Sequence, residues 1–551
     1  MPWEKRLSLW CPGMNKYTVM ESQMVEDIRQ HLCKNSAEFK AHHDQMLSQI
    51  TEASQKSPVY EGRVKKINSL EELNTLPLTP YDIIYDCIKR FGLEKVLLAK
   101  PVKYWQTSGY TGEPKKFYYG QKDLDEIVIT FAMFGYILGI RPWFSGWNFG
   151  GRDPLLSASL IDLCAEKMQI EDYLSTPLGS ESDFFDALKK ASKRKSVDIM
   201  MGTPFLFELI IRVANDPSFV ENTVKEIIRS KYRFPSFLAG LVCKIFLHGM
   251  NYENLRSIVR NGKIGLTYTE AIAPYLDKFK KEYVNMVFYE GLGSTEMPFQ
   301  AVQIYSNEEG LCYILKDVIP EIANPEDVMK AKTSQDYNVD AVPWFRWEKG
   351  MRGELIITRP GECLPLIRYP TGDLIEVLDP MCRLSVKVGE AKLTLTLPKV
   401  KILGRTVDLV DFEVPEEMGA FIGGRIYTRQ VNDALIKMPN VKWWELYSVK
   451  GNPGKLVFLV IPEKEVENEE AFKAEIFNNL AHECDFSVSI AYELKMMDFI
   501  ITKPSAYKAI REEISRRANE GRSLGQLKPK HIYTLRDEEE LKRLLNHRFQ
   551  I

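Results

Sequence analysis

Four short clusters in this 551-residue chain carry side chains suited to phosphate chemistry. The first is Thr107-Ser108-Gly109-Tyr110-Thr111-Gly112-Glu113-Pro114-Lys115. Two glycines and three Ser/Thr hydroxyls fall within six residues there, and a lysine follows. Glycines let backbone N–H groups turn inward and form an anion-binding concavity. Hydroxyls add donors to phosphate oxygens, and a lysine neutralises charge. The stretch is not a Walker loop, because GxxxxGK[ST] is absent. Read alone, it is equally a surface hairpin turn.

The other three clusters follow in order. Gly293-Ser294-Thr295-Glu296 offers a carboxylate that could hold Mg²⁺ against ATP phosphates, or simply a helix cap with Glu in the first turn. Ile367-Arg368-Tyr369-Pro370-Thr371-Gly372-Asp373 offers an aspartate suited to accept from vicinal ribose hydroxyls, or a plain turn between strands. Gly404-Arg405-Thr406-Val407-Asp408 offers an arginine able to bridge phosphate and hydroxyls, or a linker residue in a surface ion pair.

The elements that must position these clusters are partly legible. Residues 18 to 55 read as helix, with Met24, Ile28 and Leu32 at helical spacing, and His42 and His43 on its surface. Ser69 can cap a short helix, and Leu76-Pro77-Leu78-Thr79-Pro80 leads into another. From about 95 to 300, strand-like runs (Lys95 to Leu98, Val102 to Trp105, Met286 to Tyr289) alternate with helix-like ones (Asp183 to Lys195, Phe205 to Val213). Ile127 to Ile140 is a buried core helix, too short to span a membrane. The alternation predicts an α/β fold with parallel-type sheets. From about 310 to 403 the pattern shifts to short strands (Gly353 to Thr358, Leu393 to Leu397, Val400 to Leu403), predicting a small β-barrel or distorted sheet. A boundary at Gly404-Arg405 divides a large N-terminal region, residues 1–403, from a smaller C-terminal α/β domain, residues 404–551. In the latter, Thr428 to Met438 reads as helix, and Trp444 to Val449, Leu456 to Ile461 and Phe486 to Ala491 as strands.

Composition narrows the function classes. The formal net charge is -2, which gives no field for gripping nucleic acid or an anionic membrane. The nine cysteines form no CxxC pair, which points to reduced thiols in a cytoplasm and offers no zinc spacing. No secretory apolar stretch opens the chain.

Together, in this order, the four clusters resemble the adenylate-forming superfamily of acyl-CoA synthetases, luciferases and peptide-synthetase adenylation domains. Leu73-Asn74-Thr75-Leu76-Pro77-Leu78-Thr79 and Leu364-Pro365-Leu366-Ile367-Arg368-Tyr369 look most like its phenylacetate–CoA ligase branch. The resemblance spans residues 60 to 460 and implies ATP, Mg²⁺ and coenzyme A. It places Thr107, Ser108, Gly109, Thr111, Gly112 and Lys115 on the β- and γ-phosphates, and Thr295 with Glu296 at the metal. Asp373 falls on the ribose and Arg405 at a hinge-side position. Lys530, with Lys528 as second choice, stands nearest the family's C-terminal catalytic lysine, and Lys530, Lys115 and Arg405 are the catalytic candidates. The sequence departs at Tyr110, where the family has Thr or Ser, and at Leu292, where an aromatic ring stacks on adenine; Tyr289 is the alternative ring. The hinge reads Val407-Asp408, and a family Gly-Gly-Glu turn has only Tyr268-Thr269-Glu270 as counterpart.

The implied reaction is carboxylate activation to an acyl-adenylate with release of pyrophosphate, then transfer to coenzyme A. Trp143 to Gly151 and Gly202-Thr203-Pro204-Phe205 are wall candidates for an aromatic or apolar acid, although such residues are mostly core. Two other readings stay open: transfer of the acyl group to an amine, and a silent nucleotide-binding homologue. The expected partners are the acid and coenzyme A, with a homodimer open as an assembly state.

Overall fold

The computed structural model describes residues 16–107, 114–178, 181–218, 221–222, 224–225, 243, 247–268, 272–334, 337–406, 410–412, 424–435, 438–450, 454–493, 495–519 and 531–550. It opens with two helices, α1 (Lys16–His31) and α2 (Ser36–Ser54). Met24 and Ile28 of α1 are buried, as their spacing requires, and so is Leu32 just beyond it. Asn35 caps α2 in a reciprocal box with Glu38.

The surface reading of His43 is overturned. The ring is fully buried. Its Nε2 lies 2.6 Å from the Leu315 carbonyl and its Nδ1 accepts from the Trp344 indole at 2.9 Å. His43 is therefore neutral, with the proton on Nε2. Burial depresses its pKa to about 3, while the Leu315 bond opposes. In an unfolded chain the ring charges near pH 6.5. Stability is therefore complete above that pH and is lost as pH falls toward 3, at about 1.4 kcal/mol per pH unit. His43→Gln is expected to flatten the acid slope of the melting temperature by one proton, which a melting series from pH 7 to 4.5 checks; an unchanged slope contradicts the assignment.

The next stretch alternates. It runs α3 (Tyr81–Phe91), α4 (Leu93–Val96), β1 (Lys103–Gln106), β2 (Lys116–Tyr119), α5 (Gln121–Ile137), β3 (Ser145–Asn148), α6 (Leu156–Lys167), β4 (Asp172–Ser175), α7 (Glu181–Ala191), β5 (Ile199–Gly202), α8 (Pro204–Asn215), α9 (Tyr252–Asn261), β6 (Ile264–Thr267), α10 (Leu276–Glu282) and β7 (Val287–Leu292). Strands β4, β3, β5, β6 and β7 are neighbours in that order and all parallel. Helices must therefore cross over between them, and α6 to α10 do. The expected strand at Lys95 to Leu98 is instead the end of α4, whose Leu97 N–H closes onto Leu93 O at 3.0 Å. A short apolar run fits either period, and local closure decided it.

Then follow β8 (Ala301–Val302), β9 (Leu311–Tyr313), β10 (Ile319–Ala323), α11 (Pro325–Thr333), β11 (Ala341–Pro343), β12 (Arg352–Arg359), β13 (Leu366–Val388) and β14 (Ala391–Arg405). These strands pair antiparallel and join the parallel set through β7 and β8. One mixed sheet of twelve strands results, in the order β11-β10-β12-β13-β14-β9-β8-β7-β6-β5-β3-β4. Its order is open, so the strands read as a small barrel form no closed one among the described residues. The two strand candidates after Leu393 belong to the single strand β14, which pairs with β13 over most of its length.

The C-terminal stretch contains β15 (Val410–Phe412), β16 (Gly424–Ile426), α12 (Thr428–Leu435), β17 (Val441–Val449), β18 (Lys455–Pro462), α13 (Glu469–Glu483), α14 (Asp485–Glu493), β19 (Met497–Ile501), α15 (Tyr507–Asn519), β20 (Ile532–Leu535) and α16 (Glu538–Phe549). Its four-stranded sheet has the order β19-β18-β17-β20 and a core of its own around Val431, Leu446, Phe458 and Leu480. The strand expected at Phe486 to Ala491 is helix α14, because its buried Val488 and Ala491 lie three apart. Arg548 of α16 grips the buried Glu445 carboxylate of β17 with two bonds, 2.8 and 2.9 Å long. Among the described residues, Cys33, Cys87, Cys164, Cys243, Cys312, Cys363 and Cys382 are free and no helix is long and apolar enough to cross a membrane.

Candidate active site

The β1–β2 hairpin carries the first cluster. Its base is closed by a reciprocal pair: Thr107 N–H donates to Lys115 O, and Lys115 N–H donates to Thr107 Oγ1, both at 2.9 Å. Thr107 thus holds the loop's two ends together and keeps its own O–H to donate. Ser108, Gly109, Tyr110, Thr111 and Gly112 lie outside the described residues. The Lys115 ammonium stands 5.5 Å from the centre of the Tyr81 ring.

The second cluster is a tight turn beyond β7. Ser294 N–H donates to Met297 O at 3.0 Å, and Met297 N–H to Ser294 Oγ at 3.3 Å. Gly293 is required, since a Cβ there would fall 2.2 Å from Pro298 O. Two side chains that sequence reasoning missed hold the turn from outside. The Tyr119 hydroxyl, at the end of β2, donates to Thr295 O. Arg359, at the end of β12, donates Nε–H to Glu296 O at 2.5 Å and lies over the Tyr119 ring. The phosphate-loop hairpin and the Thr-Glu turn are thereby tied together. Nothing in the spacing of Tyr119 or Arg359 marks them, because each acts through a backbone carbonyl distant in sequence.

The third and fourth clusters meet through strand register. Asp373 of β13 sits opposite Arg405 of β14. Their side chains pair at 2.9 Å, and Arg405 also donates to Thr371 O at 3.0 Å. Gly372 has φ +78°, and a Cβ on it would press within 3.1 Å of the Arg405 guanidinium. Just beyond, Thr406 donates to the buried Glu354 carboxylate at 2.7 Å and so anchors the end of β14 to β12. Val407 and Asp408 lie outside the described residues, as do Thr269, Glu270, Lys528 and Lys530.

Electrostatics show how close the four clusters stand. Glu296 and Asp373 are each 5% exposed. Burial pushes the Glu296 pKa up; Arg405 pulls it back, Asp373 adds to the rise, and Lys115 opposes it. Burial lowers the Lys115 pKa, with Glu296 opposing and Arg405 reinforcing. Lys115, Glu296, Asp373 and Arg405 therefore form one group of two cations and two anions, gathered from four separated segments. The Arg405 side chain is 42% exposed, so the group faces outward on one side. Glu296, with the Thr295 hydroxyl 3.2 Å from its carboxylate, is an oxygen donor set suited to a hard cation such as Mg²⁺.

Beside this group lies a cavity of about 110 Å³, walled by α5, α6, β6 and β7 and including Tyr289 and Leu292. The wall candidates Trp143 to Gly151 and Gly202 to Phe205 do not line it. Trp147 and Phe149 are core, packed on each other and on Phe207. From the Ile127 to Ile140 run, Phe131 and Phe134 line the cavity. At its rim, the charge of Arg429 from α12 reaches Glu290, whose pKa burial raises and Arg429 lowers.

This architecture has known counterparts. Over 95% of this chain and 94% of the other, it matches 2-hydroxyisobutyryl-CoA ligase in the postadenylation state with a TM-score of 0.63 at 17% identity. It matches the GH3.15 acyl acid amido synthetase with a TM-score of 0.62 at 14% identity, over 96% of each chain. The fold is that of the adenylate-forming enzymes. An open conformation of the same CoA ligase, in complex with 2-HIB-AMP and CoA, matches with a TM-score of 0.56 at 16% identity, over 86% of this chain and 90% of that one. No family model and no curated protein matches this chain by sequence.

Proposed function

We propose that this protein is an ATP-dependent acid–thiol ligase that forms AMP: it activates a carboxylic acid as its acyl-adenylate and passes the acyl group to coenzyme A. The observation that carries this reading is the convergence of Lys115, Glu296, Asp373 and Arg405 beside an apolar cavity. Attack of a carboxylate on the α-phosphorus brings two anions together, so catalysis is mostly positioning and charge compensation. Lys115 and the phosphate-loop donors (Thr107, Ser108, Gly109, Thr111 and Gly112) hold the leaving pyrophosphate in this reading. Asp373 accepts from the ribose hydroxyls, and Arg405 holds Asp373 in place and faces phosphate. Mg²⁺ held at Glu296 would neutralise phosphate charge. Lys530, or Lys528, belongs to the C-terminal domain (404–551), which this reading has swing against residues 1–403 between the two half-reactions. The free cysteines fit a cytoplasmic enzyme.

The likeness to an acyl acid amido synthetase favours a second reading, in which an amine accepts the acyl group. Product analysis tests the proposal. With ATP, an acid panel and coenzyme A, AMP and a thioester are expected. AMP with an amide only when amino acids replace coenzyme A supports the second reading, and ADP as the nucleotide product contradicts both.

A further inference from the structure

The lysine that ends the phosphate loop has a cationic neighbour outside all four clusters. Lys332 lies in the last turn of α11. Its ammonium reaches one oxygen of the Glu354 carboxylate at 3.4 Å, and the other oxygen accepts from Thr406 at 2.7 Å. The Glu354 side chain is fully buried and that of Lys332 is 29% exposed, so a fixed anion seats a lysine that solvent still reaches. Thr406 directly follows Arg405, which places this pair beside the pair of Arg405 and Asp373. Among the described residues the Lys332 ammonium makes no other hydrogen bond, and an ammonium has three donors. The contact with Glu354 is also long beside the roughly 2.7–2.9 Å of a strong charged bond. An incoming anion can therefore take Lys332 without breaking a tight bond.

Three cations from three segments are crowded here. Burial lowers the Lys115 pKa, and the charges of Arg405 and Lys332 push it down further, against Glu296 and Asp82. Like charges held together repel, and an anion bound among them relieves that cost. Arg405 is already paired with Asp373, which leaves Lys115 and Lys332 to meet a phosphate chain.

We propose that Lys332 is a further phosphate-binding residue: with Lys115 it holds the β- and γ-phosphates of ATP, and so the pyrophosphate that leaves. This rests on the adenylation reading above. Glu354 is the positioning residue that seats the lysine.

Binding of ATP, pyrophosphate and AMP, each with Mg²⁺, tests this by calorimetry on the natural protein, Lys332→Gln and Lys332→Arg. Lys332→Gln is expected to weaken ATP and pyrophosphate about tenfold to a hundredfold, the size of one hydrogen bond to a charged group. AMP lacks both outer phosphates and is expected to bind unchanged. Lys332→Arg keeps the charge and is expected to recover most of the loss. A lysine that only braced Glu354 would lower the melting temperature and weaken all three ligands alike. That pattern, or unchanged ATP and pyrophosphate binding in Lys332→Gln, overturns the proposal and leaves adenylation standing. If the folded natural protein binds none of the three, the adenylation reading and the proposal fall together. Acetylation of the natural protein decides the question even if Lys332→Gln does not fold. ATP and pyrophosphate, but not AMP, are expected to shield Lys332 from the reagent, and a Lys332 equally acetylated with and without ATP contradicts the proposal.

Discussion

Glu296→Gln is expected to lose about 10²- to 10³-fold in acid-dependent AMP formation, the size seen when one group that stabilises developing charge is removed. The same variant is expected to melt at the same temperature as the natural protein or higher. The two effects have one cause. Glu296 is almost fully buried, and burial raises its pKa although Arg405 and Lys115 lie close. Its charge therefore costs folding energy, and that cost is kept for the site. A neutral amide of the same shape removes the cost and retains the contact with Thr295. Initial rates and melting curves on one preparation check both halves. Full activity, or lost activity caused by an unfolded protein, contradicts the role assigned to this carboxylate.

Arg368→Ala is expected to cost about 3–5 kcal/mol, the price of stranding a buried charge. Arg368 and Glu321 are both fully buried and pair at 3.2 Å. The guanidinium also donates to Leu76 O at 2.6 Å and to Val339 O and Asn74 Oδ1, both at 2.9 Å. It thus fastens the Leu73 to Thr79 segment to β13, five residues before Asp373. Alanine would strand the Glu321 carboxylate, whose pKa burial already raises, and orphan two carbonyls. Replacing both charges, as Arg368→Met with Glu321→Leu, is expected to recover part of the loss. Denaturant melts of the two single variants and the pair measure it; a double variant worse than the sum of the singles rules out this account.

Arg368 also shows where sequence reading stops. Its motif was legible, and the structure places that motif's Asp373 beside Arg405. The arginine inside the motif, however, is a structural brace, which no spacing reveals. Of the parallel strands only β7 was legible, as the apolar run Met286 to Tyr289, because β3 and β4 carry polar residues and β3 to β6 are only four residues long. An open sheet could not be told from a barrel in the sequence, because closing a sheet depends on which edge strands pair, and β11 and β4 lie at opposite ends of an open order. Helix α14 was misread as a strand because nine residues with few charges carry little periodicity. His43 looked exposed beside polar neighbours, yet the Trp344 partner that buries it lies 301 residues away. The cavity was out of reach for the same reason: α5, α6 and β7 meet only in three dimensions.

Acid-dependent exchange of labelled pyrophosphate into ATP tests the central claim most directly, because it requires one site to hold the acid, the α-phosphate and pyrophosphate together. Exchange is expected with a carboxylic acid substrate and Mg²⁺, without coenzyme A, and is expected to collapse in Glu296→Gln. No exchange with any carboxylic acid by a folded protein that binds ATP would mean that Lys115, Glu296, Asp373 and Arg405 gather for something other than adenylation.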